Sequence, residues 1–369
     1  MKKMTIVVVT VVLVLIVGVY AFWHPSESAA PPDTRSDVVV TKSDGKLAAS
    51  AVLRIDPATR STPAPVARIP LPPPSPFMQT YLDGKDRAGL YRRLKDAPAT
   101  PETQYLQAEI LATCAKRAPA TGKPAPKIAT REERRTEFLA SLAPNDPQLE
   151  KRKAAWEKMT VDQCGELAQI DYNADEVNKL VEAASAGGDP RAKAWLLTRQ
   201  IEDDRAAIFR KAEADGSSRA TRNALTDAQF ATMRDLLASQ DPLVIEQFRN
   251  ILSSSIDGGS IRIGPNQLTI DNMAMHNALG LVACDFGAPC GDDSRPILAE
   301  CATMGRCDAG NLYDHTLYYG VSPHGAQLVE QYRQWLGQMI GARDLSQLNM
   351  VPSPSTPGSG YFFSSSRRR

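Results

Sequence analysis

Histidine, long apolar runs and a surplus of either charge are all scarce in this chain of 369 residues. Lysine plus arginine number 43 and aspartate plus glutamate 42, so no excess of positive charge exists to draw in a phosphate backbone, and nucleic acid is not expected as a partner. The Arg367-Arg368-Arg369 end is too short to alter that balance. Four histidines supply few general bases and place no pair among the cysteines to complete a tetrahedral metal site. Gly-x-Ser-x-Gly, a phosphate-binding loop, Gly-x-Gly-x-x-Gly and His-Glu-x-x-His are missing, so neither metal nor cofactor is expected. Cys-x-x-Cys is missing as well, which removes the pattern of a thioredoxin-like redox site.

The single long apolar run lies at the start. No charged residue occurs from Met4 to Trp23, and at ~1.5 Å per residue the run is long enough for a helix to cross the ~30 Å hydrocarbon core. Lys2 and Lys3 precede it and no Lys or Arg follows until Arg35, so positive charge places the N-terminus in the cytoplasm and the rest outside. The rival reading is a cleaved signal peptide. Its apolar core is usually shorter, and the only small-residue site nearby, Ser28 to Ala30, is followed by Pro31. The sequence therefore predicts a single-pass inner-membrane signal-anchor over residues 1–23, with the main domain periplasmic.

Residues 24–76 hold eleven of the chain's 27 prolines and read as an extended, disordered spacer. From 77 to 350 the signals are helical. Thr100-Pro101 offers a cap before a proline at the first helical position, and Thr160-x-x-Gln163, Asn173-x-x-Glu176 and Thr226-x-x-Gln229 have the capping-box form. Apolar stripes at helical spacing include Val177, Leu180, Val181 and Ala184, then Val244, Ile245, Phe248, Ile251 and Leu252, then Leu328, Tyr332, Trp335, Leu336 and Met339. Asp146-Pro147, Asp189-Pro190 and Asp241-Pro242 each end one apolar helix and open the next, at irregular spacing. The segment from Leu180 to Leu196 resembles the helix-turn-helix of the tetratricopeptide and Sel-type repeat class. Ile261 to Ile270 alternates about Gly264-Pro265-Asn266 and predicts a hairpin, while residues 351–369, rich in Ser, Pro and Gly, read as a disordered tail. The fold class expected is mainly α: an irregular helical bundle or short α-solenoid with one small β-hairpin, preceded by the transmembrane helix and proline-rich linker.

Six cysteines in a chain placed outside the cytoplasm point to disulfides. Cys114 shares a helical face with Leu106 and Ile110, leaving Cys164 as its partner. Cys284, Cys290, Cys301 and Cys307 follow Cys-x5-Cys-x10-Cys-x5-Cys, which allows three pairings. Helix-to-helix bonding, Cys284 with Cys301 and Cys290 with Cys307, is the pairing expected, on a second helix running from near Ser294 to Gly305. Reduction is then expected to loosen mainly the C-terminal third. The cysteine pattern, together with Ala283 to Cys290 and Cys301 to Cys307, resembles a C-terminal signature of uncharacterised exported proteins of Gram-negative bacteria. The likeness spans about Ala278 to Trp335, and it implies a helical periplasmic domain with a disulfide-stapled end, without implying an activity.

The carboxylates are many but spread along helices with Lys and Arg, and the four histidines leave one local catalytic candidate, Asp314-His315 beside Tyr318 and Tyr319, although neighbours in a helix do not face each other. The function expected is a membrane-tethered periplasmic helical module binding a protein or a cell-envelope component. The alternative is an envelope-acting hydrolase using Asp314 and His315 or a carboxylate pair not identified by motif.

Overall fold

Proline and short polar side chains open most of the helices, and the chain then stacks them in order. In a computed structural model, the described residues are 73–117, 131–160, 163–214, 225–254 and 259–352. All belong to the second of two units into which the chain divides, Ala64–Arg369. The Met4–Trp23 span, and most of the expected spacer and tail, lie outside the described residues. Among the described residues no helix is long and apolar enough to cross a membrane.

Helix α1 (Pro76–Asp83) begins at Ser75, whose Oγ accepts from the Met78 amide, and α2 (Arg87–Asp96) is capped by Asp86. A reciprocal box between Thr100 and Thr103 opens α3 (Pro101–Cys114). Next come α4 (Arg131–Ser141), α5 (Leu149–Met159), α6 (Ala174–Ala186) and α7 (Pro190–Ala214). Then α8 (Asp227–Leu237), α9 (Pro242–Leu252), α10 (Asn272–Asp285), α11 (Arg295–Met304) and α12 (Pro323–Ala342) complete the set. The box at Thr226 and Gln229 forms as expected, and Asn173 caps α6 through the Asp175 amide. Thr160 does the opposite of what its pattern predicts: its hydroxyl donates to the Trp156 carbonyl at 2.8 Å and it closes α5 rather than opening a helix. A Thr hydroxyl can bond back one turn as readily as cap forward, and four-residue spacing does not distinguish the two.

Packing runs along the chain, α2 on α3, α3 on α6, α6 on α7, α7 on α9, α9 on α10 and α10 on α12. This is the order of a short solenoid. Two cores result, one around Leu94, Leu106, Ile110 and Val181 from α1–α3 and α6, the other around Met233, Phe248, Leu279 and Leu336 from α7–α10 and α12. The apolar stripes read from sequence are buried there, with Leu180, Leu328 and Trp335 at the margin. Out of line, α5 packs on α11 through Ala155, Cys301 and Ala302, with Trp156 stacked on Phe138 at 4.3 Å.

The hairpin forms: β3 (Gly259–Ile263) pairs antiparallel with β4 (Leu268–Thr269). Gly264 at its turn has φ +79, and a Cβ there would lie 2.7 Å from the Trp335 ring, so both backbone and space call for glycine. A strand not expected from sequence, β5 (Leu348–Pro352), joins the other edge of β3 and carries two residues of the segment assigned to the tail into the sheet. A parallel two-residue pair, β1 (Lys116–Arg117) with β2 (Asp171–Tyr172), sits beside the Cys114–Cys164 disulfide that the sequence predicts.

The other pairing is corrected. Cys284 bonds Cys290 and Cys301 bonds Cys307, with Cα separations of 5.7 and 4.3 Å. Glycine explains it. Gly287 (φ +108) and Gly305 (φ +71) adopt the left-handed conformation just past α10 and α11, folding the chain back over its own last turn and within disulfide reach. The two helices pack on different partners, α10 on α9 and α12, α11 on α5, which separates the cysteines expected to join them.

Candidate functional site

Where the two cores and the α5–α11 pair approach one another, they enclose a cleft of about 2000 Å³. Its walls are the start of α1, the end of α5, the first residues of α7 and α9, and the loop from α10 into α11. Helix caps therefore do double service. Asp189 accepts from the Arg191 and Ala192 amides at 2.9 and 3.2 Å, and Asp241 from the Leu243 and Val244 amides at 2.9 and 3.4 Å.

Between these caps lies Arg191, its side chain 8% exposed. Nε and Nη2 donate to the two Asp189 oxygens at 3.0 and 2.5 Å. Glu102 Oε2 is 3.5 Å from Nη2 and Asp241 Oδ2 is 3.7 Å from Nε. The guanidinium also sits 5.2 Å over the Tyr105 ring, whose hydroxyl accepts from Gln247 Nε2 at 3.1 Å. Three helices, α3, α7 and α9, thus meet at one cation. Burial works against its charge, but the hydrogen bonds to Asp189 and the nearby Asp241 and Glu102 hold the guanidinium above its ordinary pKa. Asp241 is pushed up by burial, only partly countered by Arg191. One turn along α3, Glu109 accepts from the Tyr81 hydroxyl at 3.2 Å, and burial raises the pKa of both groups.

The cleft also gathers buried polar atoms that the protein leaves without hydrogen bonds. Of seven such side-chain atoms among the described residues, Arg87 Nε, Trp156 Nε1, Gln240 Oε1 and Ser294 Oγ belong to residues lining it. Ser294 stands at the N-cap of α11 yet makes no capping bond. Buried polar groups in proteins are almost always paired, so four at residues lining one cleft, donors and acceptors together, single out this region as the one where the protein's own hydrogen bonding is least complete. Charge along the walls is mixed, with Lys85, Lys158 and Arg295 facing Asp83, Asp292 and Asp293.

The sequence candidates lie elsewhere. Asp314 ends a helical turn, Leu312–Asp314, and His315 begins a π-helical turn to Gly320. His315 Nε2 is 3.3 Å from Glu300 Oε2 without hydrogen-bond geometry, and its ring stacks 6.4 Å from Tyr319. Neither residue lines the cleft. Sequence reasoning recognised Asp189 and Asp241 only as caps and missed Glu102, Arg191, Gln240, Trp156 and Ser294. The one signal available was Arg191 two residues after a capping aspartate. All six cysteines are in disulfides, and no group of three His, Cys, Asp or Glu among the described residues could hold a metal ion.

The chain matches no protein family, no curated protein and no solved structure.

Proposed function

We propose that the protein is a membrane-tethered module that holds an extended, polar segment of a cell-envelope polymer in this cleft, on the periplasmic side. The observation that carries the reading is one large cleft whose walls gather polar and charged residues from several helices, four of those residues with a buried donor or acceptor left unpaired. Size supports it, because about 2000 Å³ exceeds the ~300–1,000 Å³ of a small-molecule pocket and suits several linked units. Balanced wall charge suits a ligand of mixed polarity. The membrane tether and compartment rest on the apolar run and lysine placement at the N-terminus, and the disulfides agree with an oxidising surround.

The hydrolase reading needs two carboxylates free to give and take protons. At the cleft, Asp241 is tied to the amides that start α9, and Glu102 accepts from the Ser75 hydroxyl. The carboxylates beside Arg191 are so engaged in holding helices in place, which favours binding over bond cleavage at that wall. The test is co-sedimentation of the full-length protein in mild detergent with insoluble cell-wall glycan. Retention in the pellet, reversed by soluble fragments of the same polymer, is expected. Protein left in the supernatant contradicts the proposal, and progressive release of soluble sugar would move the reading to a hydrolase.

A further inference from the structure

Helix α7 leaves the core but keeps its apolar stripe. Ala192, Ala194, Leu197 and Ile201 are buried in the two cores, whereas Glu202 to Lys211 are exposed, Ala206 in part. At ~100° per residue, Ile208 falls two turns beyond Ile201 on the line that faces the larger core. It is 40% exposed, and Phe209 beside it 53%. Asp204 and Lys211 flank this line on one side, Arg205 and Phe209 on the other. Exposed apolar side chains are ordinary on a surface, so exposure alone names no partner. The charges do. Glu202, Asp203 and Asp204 come first and Arg210 and Lys211 last, which makes the stretch complementary to itself when reversed. Arg205 and Lys211 pair with nothing among the described residues, and Asp204 has Oδ2 on Gln229 Nε2 at 2.9 Å, with its second oxygen facing no cation.

We infer that α7 pairs with α7 of a second copy, antiparallel, through Ile208 and Phe209. A two-fold axis across such a pair brings like flanks together and reverses their order. With the axis between Ala207 and Ile208, the two Ile208 side chains meet, each Asp204 faces the other copy's Lys211, and each Arg205 lies along the other copy's Phe209 ring. A parallel pair would bring both protein bodies to the same end at the ~8–10 Å spacing of packed helices. Helix α8, packed on α7, leaves no room for that. The antiparallel overlap uses the exposed stretch, roughly 20 Å of helix. That is small for a protein interface, so the dimer is weak and dependent on concentration. Arg191 lies on the cleft wall ~25 Å along the same helix, which puts the two Arg191 residues of the pair ~50 Å apart. A polymer entering both clefts gains avidity that neither has alone. The pairing itself stands without the envelope-polymer reading.

The test uses the full-length protein in mild detergent. All six native cysteines are in disulfides, so Ile208→Cys supplies the only free thiol. Oxidation with copper phenanthroline is expected to join this variant into a dimer on a non-reducing gel, while Arg210→Cys, on the opposite side of the helix, stays monomeric. In the Ile208→Cys background, Lys211→Asp is expected to lower the dimer yield severalfold and Lys211→Arg to preserve it. All three positions are exposed, so the fold is not at stake. Cross-linking to the same extent at Ile208→Cys and Arg210→Cys, or at neither, overturns the pairing. A yield that Lys211→Asp leaves unchanged overturns the antiparallel register.

Discussion

The two cores of this protein are secured by different means. Around Leu94, Leu106 and Val181, the smaller core closes with a disulfide joining residues 50 apart, and its rim carries the hydrogen-bonded pair Glu109 and Tyr81. The larger core, around Phe248 and Leu279, gathers many more apolar side chains, and its disulfide Cys284–Cys290 only pins a loop to the helix it leaves. Covalent bracing has gone where apolar burial is smaller, in keeping with the way disulfides compensate for limited cores. The cores share α7: Ala192 packs in one and Ala194 in the other, with Arg191 at the join. Stability of each half and communication between them are therefore separable properties.

The largest effect is expected at the join. Arg191→Met leaves Asp189, Asp241 and Glu102 without their shared cation, and breaking a buried ion cluster in this way costs about 3–5 kcal/mol. Urea unfolding followed by far-ultraviolet circular dichroism should then resolve two transitions where the unaltered protein shows one. A variant that keeps one cooperative transition would mean the cores are coupled by apolar contacts alone.

Disulfide removal comes next. On chain entropy the 50-residue loop of Cys114–Cys164 contributes about 4 kcal/mol and each six-residue loop about 2 kcal/mol. The observed pairing thus moves the main expected effect of reduction from the C-terminal third to the N-terminal core. Paired Cys→Ala replacements, compared by urea midpoint, check the ranking, and a larger loss at Cys284 and Cys290 would reverse it.

Helix caps provide a smaller and matched probe. Thr100→Ala in the first core and Thr226→Ala in the second each remove one half of a capping box, for about 1 kcal/mol apiece. If Arg191→Met separates the cores, each cap variant should shift only its own transition in that background.

The smallest effect is the pH dependence that Glu109 gives the first core. Burial raises the Glu109 carboxyl above its ordinary value, opposed by the Tyr81 hydrogen bond and Arg87. The group's contribution is fully present below the ordinary carboxylate range, about pH 4.3. It declines as pH rises through the elevated folded value, because the unfolded chain ionises first. Glu109→Gln should abolish that decline, becoming more stable relative to the unaltered protein toward neutral pH. Parallel pH profiles of the two proteins would contradict it.

Much of the fold was legible because its determinants are local. Ser294 and Gly305 bracket α11 in sequence and in structure, Thr226 and Gln229 close their box, and Gly264 marks the hairpin turn. The parts that were not legible depend on distant segments meeting. β5 joins β3 across more than eighty residues of chain, and nothing in Leu348 to Pro352 announces an edge strand before its partner is known. The cysteine pairing turned on two left-handed glycines whose conformation spacing alone does not reveal. The cleft was hidden for the same reason: Glu102, Arg191 and Asp241 come from three helices, and each taken alone looks like a cap or a solvated charge.

Hydrogen exchange of the full-length protein, with and without soluble cell-wall glycan fragments, tests the account most directly. The prediction is slowed exchange concentrated in the cleft walls: Ser75 to Arg87, Trp156 to Thr160, Ser239 to Leu243 and Phe286 to Ser294. Protection confined to the Asp314 and His315 turn, or no protection at saturating fragment, would contradict it.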